Sequence, residues 1–177
     1  MPSILTINGS TRAVSTNGLF IQAITALIGD RAVVTSYPTV ADLPHFDPDL
    51  DVLPAPPSVA HFRELIHRAD GILICTPEYA MGVPGSLKNA LDWTVSTADF
   101  RLKPVMLVTA SLSGEKAQAS LLGTLRVIEA VVPDGTTVLV QFARTKVNAG
   151  GITDAQALVE VQRALEEFMA AVHSPLA

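Results

Sequence analysis

Cysteine is almost missing: among 177 residues there is one, Cys75, inside an apolar run. An internal disulfide is therefore excluded and a cysteine-built metal site disfavoured. Charge is sparse as well, at 16% of residues, with 12 Lys and Arg against 17 Asp and Glu. A net charge of −5 with no basic tract argues against a nucleic-acid partner. His45, His61, His67 and His173 are scattered, and no histidine or carboxylate group has metal-ligand spacing, so no metal is expected. No Gly-x-Ser-x-Gly elbow introduces a nucleophile. No apolar run is long enough to span a bilayer, and the N-terminus lacks the basic start and apolar stretch of a signal peptide. The expected location is the cytoplasm, with no membrane partner.

What the chain does have is apolar material, 49% of residues, enough for a sizeable core. The length suits one domain over 1–177. A surface this poor in charge also suits cover by a second subunit. Short apolar, β-branched runs over 4–8, 32–37, 71–76, 104–110 and 136–140 predict five strands. Between and after them run helical patterns. Leu19, Phe20, Ala23, Ile24, Leu27 and Ile28 share one face, as do Val59, Phe62, Leu65 and Ile66. Leu87, Ala90 and Leu91 share another, then Ala117, Leu121, Leu125 and Ile128, and finally Leu158, Val161, Leu165, Phe168 and Val172. Thr153 with Gln156 has the spacing of a capping box for that last helix. Residues 38–57 carry six prolines and read as an ordered, irregular loop, and 143–152 as a polar loop. Asp42, Asp47, Asp49 and Asp51 read as a solvated acidic face. Strict alternation of strand and helix predicts an α/β fold, a parallel sheet of about five strands with helices on both faces.

In such a sheet ligands sit beyond the C-terminal ends of the strands. Three loops reach there: 9–17, 76–85 and 110–116. The first offers Gly9, the hydroxyls of Ser10, Thr11, Ser15 and Thr16, the Asn17 amide and Arg12, and it ends at a helix N-terminus. Unpaired N–H groups and the helix dipole favour a phosphate there. The loop has neither the Gly-Lys-Ser/Thr of a triphosphate loop nor three dinucleotide glycines, which leaves a monophosphate. The alternative is that Ser15 and Asn17 only cap the helix and Arg12 faces water. In the second loop Pro77 and Pro84 restrict the backbone, while Gly82 and Gly85 permit close approach to a flat heterocycle. Tyr79 suits stacking on or flanking that ring. Glu78 reads either as a structural acceptor at a turn or, less simply, as a proton-transfer group. Cys75 reads as inert core.

Together these loops resemble the NADPH-dependent FMN reductase family, a flavodoxin-like group that includes quinone and chromate reductases and some azoreductases. The resemblance rests on Gly9-Ser10-x-Arg12-x-x-Ser15-x-Asn17, on Leu43-Pro44-x-Phe46-Asp47-x-Asp49-Leu50, and on Pro77-Glu78-Tyr79-x-x-Gly82-x-Pro84-Gly85 followed by Leu87-Lys88-Asn89-Ala90-Leu91-Asp92-Trp93. It implies a flavodoxin-like α/β/α sandwich with strand order 2-1-3-4-5. It implies noncovalent FMN, its phosphate near Ser10, Arg12, Ser15, Thr16 and Asn17 and its ring near Pro77, Glu78, Tyr79, Met81 and Gly82. Ser111 and Ser113 of the third loop would approach from the other side. Where relatives usually carry several glycines, that loop reads Ser111-Leu112-Ser113-Gly114-Glu115. The resemblance further implies NADPH or NADH as hydride donor, a small-molecule acceptor such as a quinone, free flavin, an azo or nitro compound or chromate, and a homodimer or homotetramer. Arg12, Arg101, Lys103 and Lys116 are the candidates for reading a 2′-phosphate. The competing readings are a flavodoxin-like electron carrier and a flavin-free binding or regulatory protein on the same fold.

Overall fold

The five apolar runs pair into one parallel sheet in the order β2-β1-β3-β4-β5. The strands are β1 (Ser3–Asn8), β2 (Val33–Ser36), β3 (Gly71–Thr76), β4 (Val105–Ala110) and β5 (Thr137–Val140). The computed structural model describes residues 1–174. Every residue of β3 and β4 is buried, because helices cover both faces of the central strands. β2 lies at an edge and is mostly exposed, which is why Thr and Ser are tolerated in it. It ends one residue short of the predicted 37. Tyr37 still donates its N–H to Thr6, but Pro38 has none to continue the ladder.

Helices α1 (Thr16–Ile28) and α5 (Ala155–His173) pack Phe20, Ile24, Val161 and Phe168 against Leu73, Cys75, Met106 and Val108. On the other face α2 (Pro57–Arg68), α3 (Gly85–Asp92) and α4 (Glu115–Val127) pack Phe62, Ile66, Leu87, Leu91 and Leu121 against Ile72, Ile74 and Leu107. Neighbouring residues of β3 thus feed opposite cores, as strand periodicity requires. Trp93, at the end of α3, is fully buried, and its indole N–H donates to the Pro44 carbonyl at 2.8 Å. No helix among the described residues is long and apolar enough to cross a membrane.

Three readings need correction. The cap of α5 is Asp154, whose carboxylate accepts the Ala157 N–H, and Gln156 bonds Glu160 instead. Thr153 is held back by its N–H to Lys146 O, so the helix begins one residue later than a Thr153 cap requires. Asp51 leaves the acidic face to pair with Arg63 at 2.6 Å. Residues 143–152 are not simply a loop. They hold a 3₁₀ turn at Ala143–Thr145 and a two-stranded antiparallel hairpin, β6 (Val147–Asn148) with β7 (Gly151–Ile152).

Candidate functional site

Four loops meet at the C-terminal edge of the sheet, where the chain leaves β1 on one side and β3 on the other. The first begins under tight constraint. Gly9 donates to Cys75 O at 2.8 Å, and a Cβ there would lie 2.6 Å from Thr76 Oγ1 and 2.9 Å from Leu87. Only glycine lets the loop sit this close to β3. Asn8 braces the turn from within, accepting Ser10 N–H and donating to Ser15 Oγ. Ser15 caps α1 by accepting Gly18 N–H at 2.9 Å, and its own hydroxyl proton remains to be donated.

Asn17 carries a structural task beside the one expected from sequence. Its side chain is buried, donates to Ala110 O at 3.3 Å and accepts the Cys75 thiol proton at 3.2 Å. The amide therefore ties α1 to β3 and β4, which leaves its second Nδ2–H and its backbone N–H for a ligand. The Cys75 thiol is pushed far above its ordinary range by complete burial, which fits an inert core residue. Among the described residues no acceptor takes the backbone N–H of Thr16 or Asn17. These are the orphan donors of a helix N-terminus.

The loop after β3 folds back on itself. Tyr79 and Gly82 exchange reciprocal backbone bonds of 3.0 Å, with Ala80 and Met81 between them at φ 48° and 61°. Two non-glycine residues in the left-handed region cost on the order of 1–2 kcal/mol each. The turn leaves Met81 70% exposed and brings the Tyr79 hydroxyl to 3.4 Å from Ser10 Oγ.

Glu78 is the joint between loops. Its N–H donates to Ser111 Oγ at 3.1 Å, while its carboxylate accepts Ser113 Oγ at 2.8 Å and Ala117 N–H at 2.9 Å. Helix α4 starts after Gly114, at φ 102°, with no capping side chain of its own, so Glu78 supplies the cap from a distant loop. The Ala117 N–H first, then the Ser113 hydroxyl, hold the carboxyl below the usual glutamate range. It is a fixed carboxylate. The fourth loop follows β5. Phe142 and Ala143 donate to Leu112 O and Ser111 O at 3.2 and 3.0 Å, so this loop extends the wall made by the third.

These loops enclose a cavity of about 310 Å³. Of the residues named from sequence, Ser10, Arg12, Ser15, Thr16, Asn17, Pro77, Tyr79 and Ser111 line it. Glu78, Met81, Gly82 and Ser113 lie outside its lining. Glu78 and Ser113 are committed to each other, and Met81 and Gly82 form the turned-back tip. Leu112 belongs to the third loop expected at the site but was not singled out, and sequence reasoning missed Phe142, Arg144 and Thr145. The last three follow β5, and the rule that ligand loops follow parallel strands would have found them had it been applied to the fifth strand too.

The lining fits FMN in its chemistry. Orphan N–H groups, serine and threonine hydroxyls and Arg12 suit a phosphate, and Pro77, Tyr79, Leu112 and Phe142 give apolar walls for a flat ring. No carboxylate lines the cavity, although acids outnumber bases in the chain.

Comparison with known proteins agrees with this chemistry. The NADPH-dependent FMN reductase family matches residues 2–145. Over 135 residues the chain is 36% identical to a quinone reductase of Escherichia coli, covering 73% of this chain and 72% of that one. Over 169 residues it is 30% identical to an NAD(P)H-dependent FMN reductase of Pseudomonas aeruginosa, covering 92% and 91%. Among solved structures, the flavoenzyme NAD(P)H:(acceptor) oxidoreductase FerB of Paracoccus denitrificans superposes with a TM-score of 0.81 at 25% identity, covering 99% of both chains. The strand order, the two loop sequences and a match over most of the chain lead to one conclusion: the protein belongs to the NADPH-dependent FMN reductase family, and its chemistry is flavin-dependent oxidation of NAD(P)H.

Proposed function

We propose that the four-loop cavity holds FMN and that a quinone is the class of acceptor reduced there. The observation that carries this reading is the cavity's position and lining. It lies where strand order reverses between β1 and β3, and it joins the orphan N–H groups of Thr16 and Asn17 with Arg12 on an apolar-walled slot. When bound, FMN supplies the two-electron chemistry that takes hydride from NAD(P)H and passes electrons to the acceptor.

The chain's own residues then bind, orient and shield. Ser10, Arg12, Ser15, Thr16 and the Asn17 backbone hold the phosphate. Pro77, Tyr79 and the turn through Met81 and Gly82 support the ring, and Glu78, through Ser111 and Ser113, sets the spacing of the opposite wall. No side chain is asked to act as nucleophile or general acid. The exposed apolar rim of Tyr79, Leu112 and Phe142 suits an aromatic acceptor more than a small hydrated oxyanion. We further read the protein as one cytoplasmic domain that works as a homodimer or homotetramer.

The test is titration of the purified protein with FMN and riboflavin, followed by oxidation of NADPH and NADH with and without a quinone. Tight FMN uptake and quinone-stimulated turnover support the reading. Absence of FMN uptake removes it, and uptake with negligible nicotinamide oxidation points to an electron carrier.

A further inference from the structure

Among the described residues, seven of the twelve Lys and Arg side chains have partners. Arg31, Arg63, Arg68, Lys88, Arg101 and Lys146 lie against carboxylates, and Lys103 donates to the carbonyls of His67 and Ala69. Arg12 and Arg144, like Lys116, Arg126 and Arg163, have no such partner among the described residues, and both line the four-loop cavity, whose lining holds no carboxylate. Two unneutralised guanidiniums facing a shared space in a chain of net charge −5 mark a site for anions.

They enter from different elements. Arg12 belongs to the loop after β1, at the N-terminus of α1. Arg144 belongs to the 3₁₀ turn after β5. The second mounting is rigid. Phe142 and Ala143 donate to Leu112 O and Ser111 O, the Thr145 hydroxyl donates to Phe142 O at 3.0 Å, and Ala143 is buried. Phe142 is held at φ 50° to make the turn. A non-glycine residue in that region persists where the surroundings over-determine it.

The same geometry sets aside three of the four cations that the sequence offered for a 2′-phosphate. Arg101 pairs with Glu129, and Lys103 precedes β4, at the sheet edge opposite the cavity. Lys116 lies outside the lining.

Resting on the FMN reading above, we propose that Arg144 is a second phosphate-recognition residue, taking a phosphate monoester dianion on the wall opposite Arg12. A planar guanidinium suits that dianion through paired N–H donors. Two ligands of the known chemistry carry such a group: the 5′-phosphate of FMN and the 2′-phosphate of NADPH.

The test uses Arg144→Gln, which removes charge but keeps length, with Arg144→Lys as the charge-retaining control. Flavin fluorescence gives the dissociation constants of FMN and riboflavin. Calorimetry on the FMN-loaded protein gives those of adenosine 2′,5′-bisphosphate and adenosine 5′-phosphate. If the FMN phosphate is the partner, the preference for FMN over riboflavin falls about fivefold in Arg144→Gln and returns in part in Arg144→Lys. If the 2′-phosphate is the partner, the preference for the bisphosphate falls instead, by about the same factor. Either result supports the inference and names the source. Flavin uptake with both preferences unmoved overturns the inference alone. A wild type that takes up no flavin overturns the functional reading, and this inference with it.

Discussion

Glu78 shows what a single residue decides in this site. Its carboxylate has no nearby partner in sequence, and in the structure it caps α4 and holds Ser113. Two walls of the cavity are therefore coupled through one side chain. Glu78→Gln keeps the shape but removes the charge and one acceptor. Its FMN dissociation constant is expected to rise several-fold, with a lower melting temperature, measured by flavin titration and thermal unfolding at neutral pH. The pH dependence has a definite sign. Because the folded carboxyl ionises below its ordinary range, its stabilisation is complete above the unfolded pKa of about 4.3 and is lost as pH falls through the folded value. The difference in melting temperature between wild type and Glu78→Gln should therefore be constant near neutrality and shrink in acid. Asn17 teaches the same lesson from the other direction. A residue type suited to phosphate binding also carries a structural task, since its buried amide bonds Cys75 and Ala110.

At the scale of elements, helix ends carry much of the specificity. Ser15 caps α1 from its own sequence, whereas α4 borrows its cap across 39 residues from Glu78 to Ala117. The last helix is capped by Asp154, one position past the Thr153 that the spacing suggested. Asp154→Ala should cost about 1 kcal/mol of stability, while Thr153→Ala should change little. Urea unfolding of both variants checks this, and equal losses would return the cap to Thr153. The five strands and five helices were legible because each repeats a local period, two for strands and 3.6 for helices. The hairpin of β6 and β7 was not, since two residues per strand give no period to read.

For the molecule as a whole, electrostatics is distributed unevenly. Away from the cavity, Arg63 is almost fully buried and bonds Asp51, the Trp93 carbonyl and Ser96, with Asp99 at 3.7 Å. It ties the proline-rich segment to the end of α3, and its guanidinium lies 5.9 Å from the Trp93 ring. Arg63→Ala leaves half-buried Asp51 and the Trp93 carbonyl without their partner and should cost about 3 kcal/mol, read from the midpoint of denaturant unfolding. At the cavity the balance is reversed, with two cations and no acid. FMN affinity should therefore weaken as salt is raised, while riboflavin affinity, which lacks the phosphate term, should stay nearly constant. Parallel salt titrations decide this.

From the sequence alone came the alternation of strands and helices, the sheet edge where ligands bind, and three of the four loops that form the site. Those features depend on neighbours a few positions apart, and local periodicity and turn chemistry encode them. Tertiary structure alone decided which donors remain free and which are consumed. It turned Glu78 into a cap and Asn17 into a brace, joined Asp51 to Arg63, and brought Phe142 and Arg144 to the cavity as its fourth wall. These outcomes depend on partners tens of residues away, and hydrogen-bond satisfaction between such distant groups leaves no period in the chain.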